Sequence, residues 1–149
     1  MRIAKLAGIS TLLFTILSFL CVAQNKPEKT EPASDYSELE KTPAKYRAKA
    51  NPMAKDKDSI PAGKILFEEH CAECHGETAL GTKKAPSLRA QEVQTAAPGT
   101  LFWILSNGIV RKGMPVWSKL PEPQRWQLVS FIQSLGPSEA AENKAPAKP

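Results

Sequence analysis

Five consecutive residues, Cys71-Ala72-Glu73-Cys74-His75, concentrate the chemistry of this chain. On a helix, positions i, i+3 and i+4 fall on one face, so two sulfurs and an imidazole point the same way. Two thiols so placed can form thioethers with the two vinyl groups on one edge of a porphyrin while the imidazole reaches the iron, and C-x-x-C-H is the sequence form of that arrangement. Rival uses of the cysteines fit less well. A structural zinc site takes four Cys or His ligands, and no second C-x-x-C or H-x-H group follows. A disulfide-exchange C-x-x-C belongs at a strand-to-helix junction, and no β-rich pattern precedes Cys71.

At these residues the chain resembles the class I cytochromes c, small single-haem electron carriers. The resemblance covers roughly residues 60–136. Gly63-Lys64-Ile65-Leu66-Phe67 before the motif, Pro86-Ser87-Leu88 after it, Gly113-Met114-Pro115, and Trp126 to Ile132 stand in the family's order. It implies an all-α fold, a small cytochrome c-like domain of three to four helices wrapped around one haem c, thioether-linked through Cys71 and Cys74. It also implies that a proline carbonyl, here that of Pro86, accepts the ring N–H of the ligating His75 and fixes its tautomer. Leu88 would then pack on the haem, and Gly63 and Phe67 would meet the last helix closely.

The second axial ligand must come from the opposite face of the porphyrin. Met114 suits it: a soft thioether between Gly113, which permits close approach, and Pro115, which stiffens the loop. His70 competes poorly, because His75 already serves its side, and it reads as a partly exposed helix residue. Arg89 is a candidate to hold a haem propionate by charge-assisted hydrogen bonds, with a solvated surface role as the alternative. Trp103 is a candidate for the same task through its indole N–H, although plain core packing is the reading favoured for it. Trp117 is expected to close the pocket beside Met114.

Three helices must position these groups. Asp58 or Ser59 can cap a first helix, with Pro61 in its opening turn, that runs into the motif. Gly76 to Ala85 is polar and glycine-bearing, a loop around the porphyrin edge. Leu101-Phe102-Trp103-Ile104-Leu105, between Thr100 as N-cap and Asn107-Gly108 as a stop, predicts a two-turn helix over about 101–107. The last helix is expected to open near Pro121 and run to Leu135, with Leu128, Phe131, Ile132 and Leu135 in one stripe beside Val129.

The chain has 149 residues and a formal charge of +5. The stretch 61–137 carries eight basic and six acidic side chains without a basic stripe, which gives no case for nucleic acid. Residues 1–23 read as an export signal: Arg2 and Lys5, then an uncharged apolar run from 6 to 23, with cleavage expected before Gln24. The run also has the length of an uncleaved membrane tether, and a lipid on Cys21 is a third reading. Residues 24–58, rich in Lys, Glu, Pro and Ala, are expected to be a flexible linker, the alternative being that Asn51-Pro52-Met53 lies along the domain as an ordered lead-in. The domain itself is placed at 59–137, near the size at which a core alone supplies only about 3–5 kcal/mol and needs a staple such as a covalent cofactor. Residues 138–149 are expected to be a disordered tail.

Filling both iron faces leaves no open position for substrate, which predicts an electron carrier rather than an enzyme, exported to the periplasm and monomeric. By analogy with the family its partners would be a dehydrogenase or quinol-oxidising complex on one side and a terminal oxidase on the other. A haem subunit of a larger membrane oxidoreductase is the alternative, and a gas- or peroxide-binding haem protein a third.

Overall fold

Proline and glycine punctuate the chain, and the helices begin and end accordingly. The computed structural model describes residues 35–137. These residues hold six α-helices: α1 (Ala44–Arg47), α2 (Ser59–His70), α3 (Ala72–His75), α4 (Gln91–Gln94), α5 (Pro98–Asn107) and α6 (Glu122–Ser134). A 3-10 turn covers Val110–Lys112. The all-α expectation holds, with an isolated bridge between Ile109 and Met114 as the β-type pairing among the described residues. The helix count exceeds the expected three to four because α1, α3 and α4 are single turns of four residues. The expected export signal and C-terminal tail lie outside the described residues.

Helix α2 starts after Asp58, as expected, although the carboxylate makes no capping bond. Helix α5 departs from expectation. It starts at Pro98 with Ala97 as N-cap, so Thr100 is a buried helix residue. A proline at the first helical position has its φ already set and no N–H to leave unpaired, which outweighs the capping preference of the threonine. Helix α6 has Pro121 as N-cap and Pro123 inside its first turn.

The most extensive helix contact is that of α2 with α6. Gly63 makes it possible: a Cβ there would sit 2.1 Å from Gln127 O. Phe67, fully buried, meets Phe131 with ring centroids 5.2 Å apart. The Phe102 ring of α5 stacks on Trp126 of α6 at 4.1 Å, and the Arg125 guanidinium also lies over the Phe102 ring, 4.7 Å from its centroid. Leu128, Val129 and Ile132 complete the buried stripe of α6.

The expected flexible linker is corrected over residues 35–58. Tyr36 and Leu39 pack against the buried core, and Leu39 N–H closes a turn onto Tyr36 O at 3.0 Å. Asn51 is buried and donates from Nδ2 to Trp126 O at 3.2 Å and to Ser130 Oγ at 2.8 Å, while its Oδ1 accepts from Met53 N at 2.8 Å. The ordered lead-in at Asn51-Pro52-Met53 is therefore the alternative the structure supports. Low apolar content predicts disorder when a segment must build its own core. This one borrows a core, and its few apolar and amide groups suffice to dock it.

Candidate functional site

Helix α2 delivers the motif. It ends at His70, and Cys71 breaks the helix with φ −121° before α3 resumes from Ala72 to His75. The motif is thus one helical turn after a kink, not a continuation of α2. The turn is closed by Cys74 N–H to Cys71 O at 3.1 Å and His75 N–H to Cys71 O at 2.9 Å. Both thiols are free and half-buried. Burial, reinforced by the neighbouring Cys74, pushes the Cys71 thiol up to about 11.

His75 Nδ1 lies 2.9 Å from Pro86 O. A carbonyl only accepts, so Nδ1 carries the proton and Nε2 keeps its lone pair for a metal. Burial lowers the imidazole pKa from its ordinary value, and the Pro86 contact works against it in the smaller degree, a balance that favours the neutral ring. The loop that brings Pro86 there depends on Gly81. With φ +86°, a Cβ at Gly81 would approach Ser87 N to 2.6 Å and the Pro86 carbonyl carbon to 2.8 Å. Gly81 N–H also donates to His75 O at 2.8 Å, and the Thr82 hydroxyl donates to Cys74 O. Sequence reasoning missed both residues, and only the density of Gly and Thr after the motif hinted at them.

Met114 closes a tight loop. It exchanges backbone bonds with Ile109, 3.0 Å from Ile109 N to Met114 O and 3.2 Å the other way, while Gly113 takes the left-handed conformation at φ +87°. Trp117 N–H then donates to Leu105 O at 3.0 Å, fixing the segment to the end of α5. Met114, Trp117, Cys71 and Leu88 all adjoin the same buried cluster. The His70 ring lies 5.2 Å from that of Trp117, so the residue before the motif touches the segment that carries Met114. His70 is half-exposed, as expected.

Arg89 and Trp103 lie in distinct surroundings. Arg89 donates from Nε to Thr78 O at 2.9 Å and from Nη1 to Leu135 O at 2.6 Å, so its guanidinium ties the loop after the motif to the end of α6. Trp103 is half-buried on α5.

The donor set fits haem c: two thiols, an imidazole with one nitrogen already spent, and a thioether on an apolar surround. Among the described residues no group of three or more His, Cys, Asp or Glu is placed to hold a metal ion, so a zinc site lacks its remaining ligands. Among the same residues no helix is long and apolar enough to cross a membrane.

A family model described as cytochrome c oxidase, cbb3-type, subunit III matches residues 58–132, just over half of the chain. A cbb3-type cytochrome c oxidase subunit CcoP of Azospirillum sp. (strain B510) is 33% identical over 101 residues, 61% of this chain and 33% of that protein. The CcoP of Azospirillum brasilense is 30% identical over 102 residues, 62% of this chain and 34% of that one. The chain thus spans about a third of the length of the curated relatives it matches. Among solved structures, cytochrome cL of Methylophaga aminisulfidivorans MPT is similar with a TM-score of 0.49 and 23% identity, over 66% of this chain and 74% of that one. Taken with the C-x-x-C-H turn and its surround, the match over 58–132 makes this chain a c-type cytochrome, a member of the family of cytochrome c oxidase, cbb3-type, subunit III.

Proposed function

We propose that residues 59–137 hold one haem c, linked through Cys71 and Cys74 and ligated by His75 and Met114, and pass single electrons to a terminal oxidase in the periplasm. The observation that carries this reading is the 2.9 Å contact of His75 Nδ1 with Pro86 O, which commits the ring's proton and presents Nε2 to a metal. Bound there, the haem supplies one-electron chemistry, and a His/Met ligand pair raises its potential relative to two imidazoles. Cys71 and Cys74 would hold the cofactor covalently, on a turn that α2 delivers. Pro86 orients the imidazole, and the Ile109–Met114 bridge steadies the loop that would present the thioether. With His75 and Met114 both engaged, the site would gain and lose an electron with little rearrangement of these residues.

Two settings for that electron transfer are a free shuttle and a haem subunit of a larger oxidoreductase. The family match and the names of both Azospirillum relatives favour the subunit. Purification of a tagged full-length chain from its own membranes tests this. Recovery with oxidase activity and further haem supports the subunit. Recovery of the chain alone, active as an electron donor, would return the shuttle. The cofactor reading has its own test: the mass of the mature chain must exceed that of its amino acids by one haem, and the haem must resist acid-acetone extraction.

A further inference from the structure

The 3-10 turn that leads into Met114 has no apolar anchor. Val110 is 68% exposed, and Arg111, Lys112 and Gly113 are exposed with it. What holds this turn from outside is the segment 35–39, whose place in the chain suggested a tether. The Glu38 carboxylate, 12% exposed, pairs with Arg111, lies 3.8 Å from Lys112 Nζ, and accepts from Lys41 at 2.8 Å. Lys112 Nζ also meets Asp35 Oδ2 at 2.6 Å. Tyr36, between the two acids, donates its hydroxyl to Ser87 O at 2.9 Å, one residue beyond the Pro86 carbonyl that orients His75. Tyr36 and Leu39 fasten this strap to the core. One five-residue strap therefore touches the supports of both proposed iron ligands.

We infer that the strap 35–39 is a brace for axial ligation, with Glu38 and Asp35 as positioning residues that hold the Met114 segment through Arg111 and Lys112. The inference rests on Met114 being the ligand. A carboxylate this little exposed, facing cations, makes charge-assisted bonds that are about twice as strong as neutral ones. Removing those bonds lets the turn swing without unfolding the domain, because α2, α5 and α6 are packed independently of it.

The test follows displacement of the methionine in the oxidised, full-length holoprotein by added imidazole, read as loss of the far-red methionine-to-iron band. Glu38→Gln and the doubly exposed pair Arg111→Gln with Lys112→Gln are each expected to speed displacement by on the order of tenfold. The second variant alters side chains outside the buried cluster, and its fold is checked against the unaltered protein by far-ultraviolet circular dichroism. Lys41→Gln removes a partner of Glu38 that lies outside the turn and is expected to leave the rate within about twofold. A merely structural role would lower thermal stability in all three without separating their displacement rates. Displacement rates within twofold of the unaltered protein for the Arg111/Lys112 pair, with the band present and lost in Met114→Ala, would overturn the brace alone. A band that survives Met114→Ala would overturn the ligand reading and the brace with it.

Discussion

Replacing Gly63 by alanine sets two effects of opposite sign against each other. Within a helix, alanine is favoured over glycine by about 0.5–1 kcal/mol, so propensity alone predicts a stabler protein. The crossing predicts the reverse. The new Cβ would lie 2.1 Å from Gln127 O, 2.6 Å from its carbonyl carbon and 2.9 Å from Phe131 Cβ. Two of these obstacles are backbone, which cannot rotate aside, so α2 and α6 must part. Overpacking costs typically about 1–3 kcal/mol, and a backbone obstacle belongs at or above the upper end, which leaves a net loss of about 2 kcal/mol. For a domain of roughly 100 residues each kcal/mol shifts the melting temperature by about 4–8 °C, giving a fall of about 8–16 °C. Thermal denaturation of the haem-loaded protein, followed by far-ultraviolet circular dichroism, measures it. Lys64→Ala is the control: its side chain is 62% exposed and its pair with Glu68 spans 3.5 Å, so its effect stays within about 0.5 kcal/mol. A Gly63→Ala protein as stable as the parent, or stabler, would refute the crossing as the determinant of this fold.

Met114→Ala abolishes the far-red band, admits carbon monoxide to the reduced protein and lowers the potential by about 59 mV for each tenfold loss of preference for ferrous iron; potentiometry and the spectrum check it. Arg89→Ala strips partners from Thr78 O and Leu135 O and costs about 1–3 kcal/mol in denaturant melts while leaving the potential unchanged. A shifted potential with unchanged stability would favour the propionate role. Hydrogen bonds from Lys112 and then Ser37 hold the Asp35 carboxyl well below its ordinary 3.8. A depressed folded-state value means that the contribution is whole above 3.8 and is lost only as pH falls further, towards the folded-state value. Asp35→Asn should therefore lower the melting temperature by a constant amount from neutral pH down to 3.8. A difference that fades before that point counts against the Lys112 contact.

What the sequence made legible was chemistry fixed by short spacing. The C-x-x-C-H turn, Gly63 four residues before Phe67, and the stripe of α6 are local patterns, each with one cheap structural solution. The site for Pro86 came from resemblance, and the reason it works, the room left by Gly81, needed coordinates. Long-range polar docking was invisible. Asn51 finds its partners 75 and 79 residues away, at Trp126 O and Ser130 Oγ, and no periodicity encodes such a bond. The acceptors of Arg89 were hidden for the same reason: those carbonyls belong to segments that sequence alone does not bring together. Thr100 lost its capping role to a proline two residues upstream, a contest between two good helix starts that local preference does not decide.

The far end of α6 has an unusual settlement of its carbonyls. Ile132 O accepts from Gln94 Nε2 at 3.0 Å and Leu135 O accepts from Arg89 Nη1 at 2.6 Å, while Gln133 Nε2 reaches back to Ala96 O at 3.3 Å. Two carbonyls at the end of the helix are thus met by side chains from the segment 89–96. The last turn of α6 is consequently moored to the loop that follows the motif, so a disturbance at one is passed to the other.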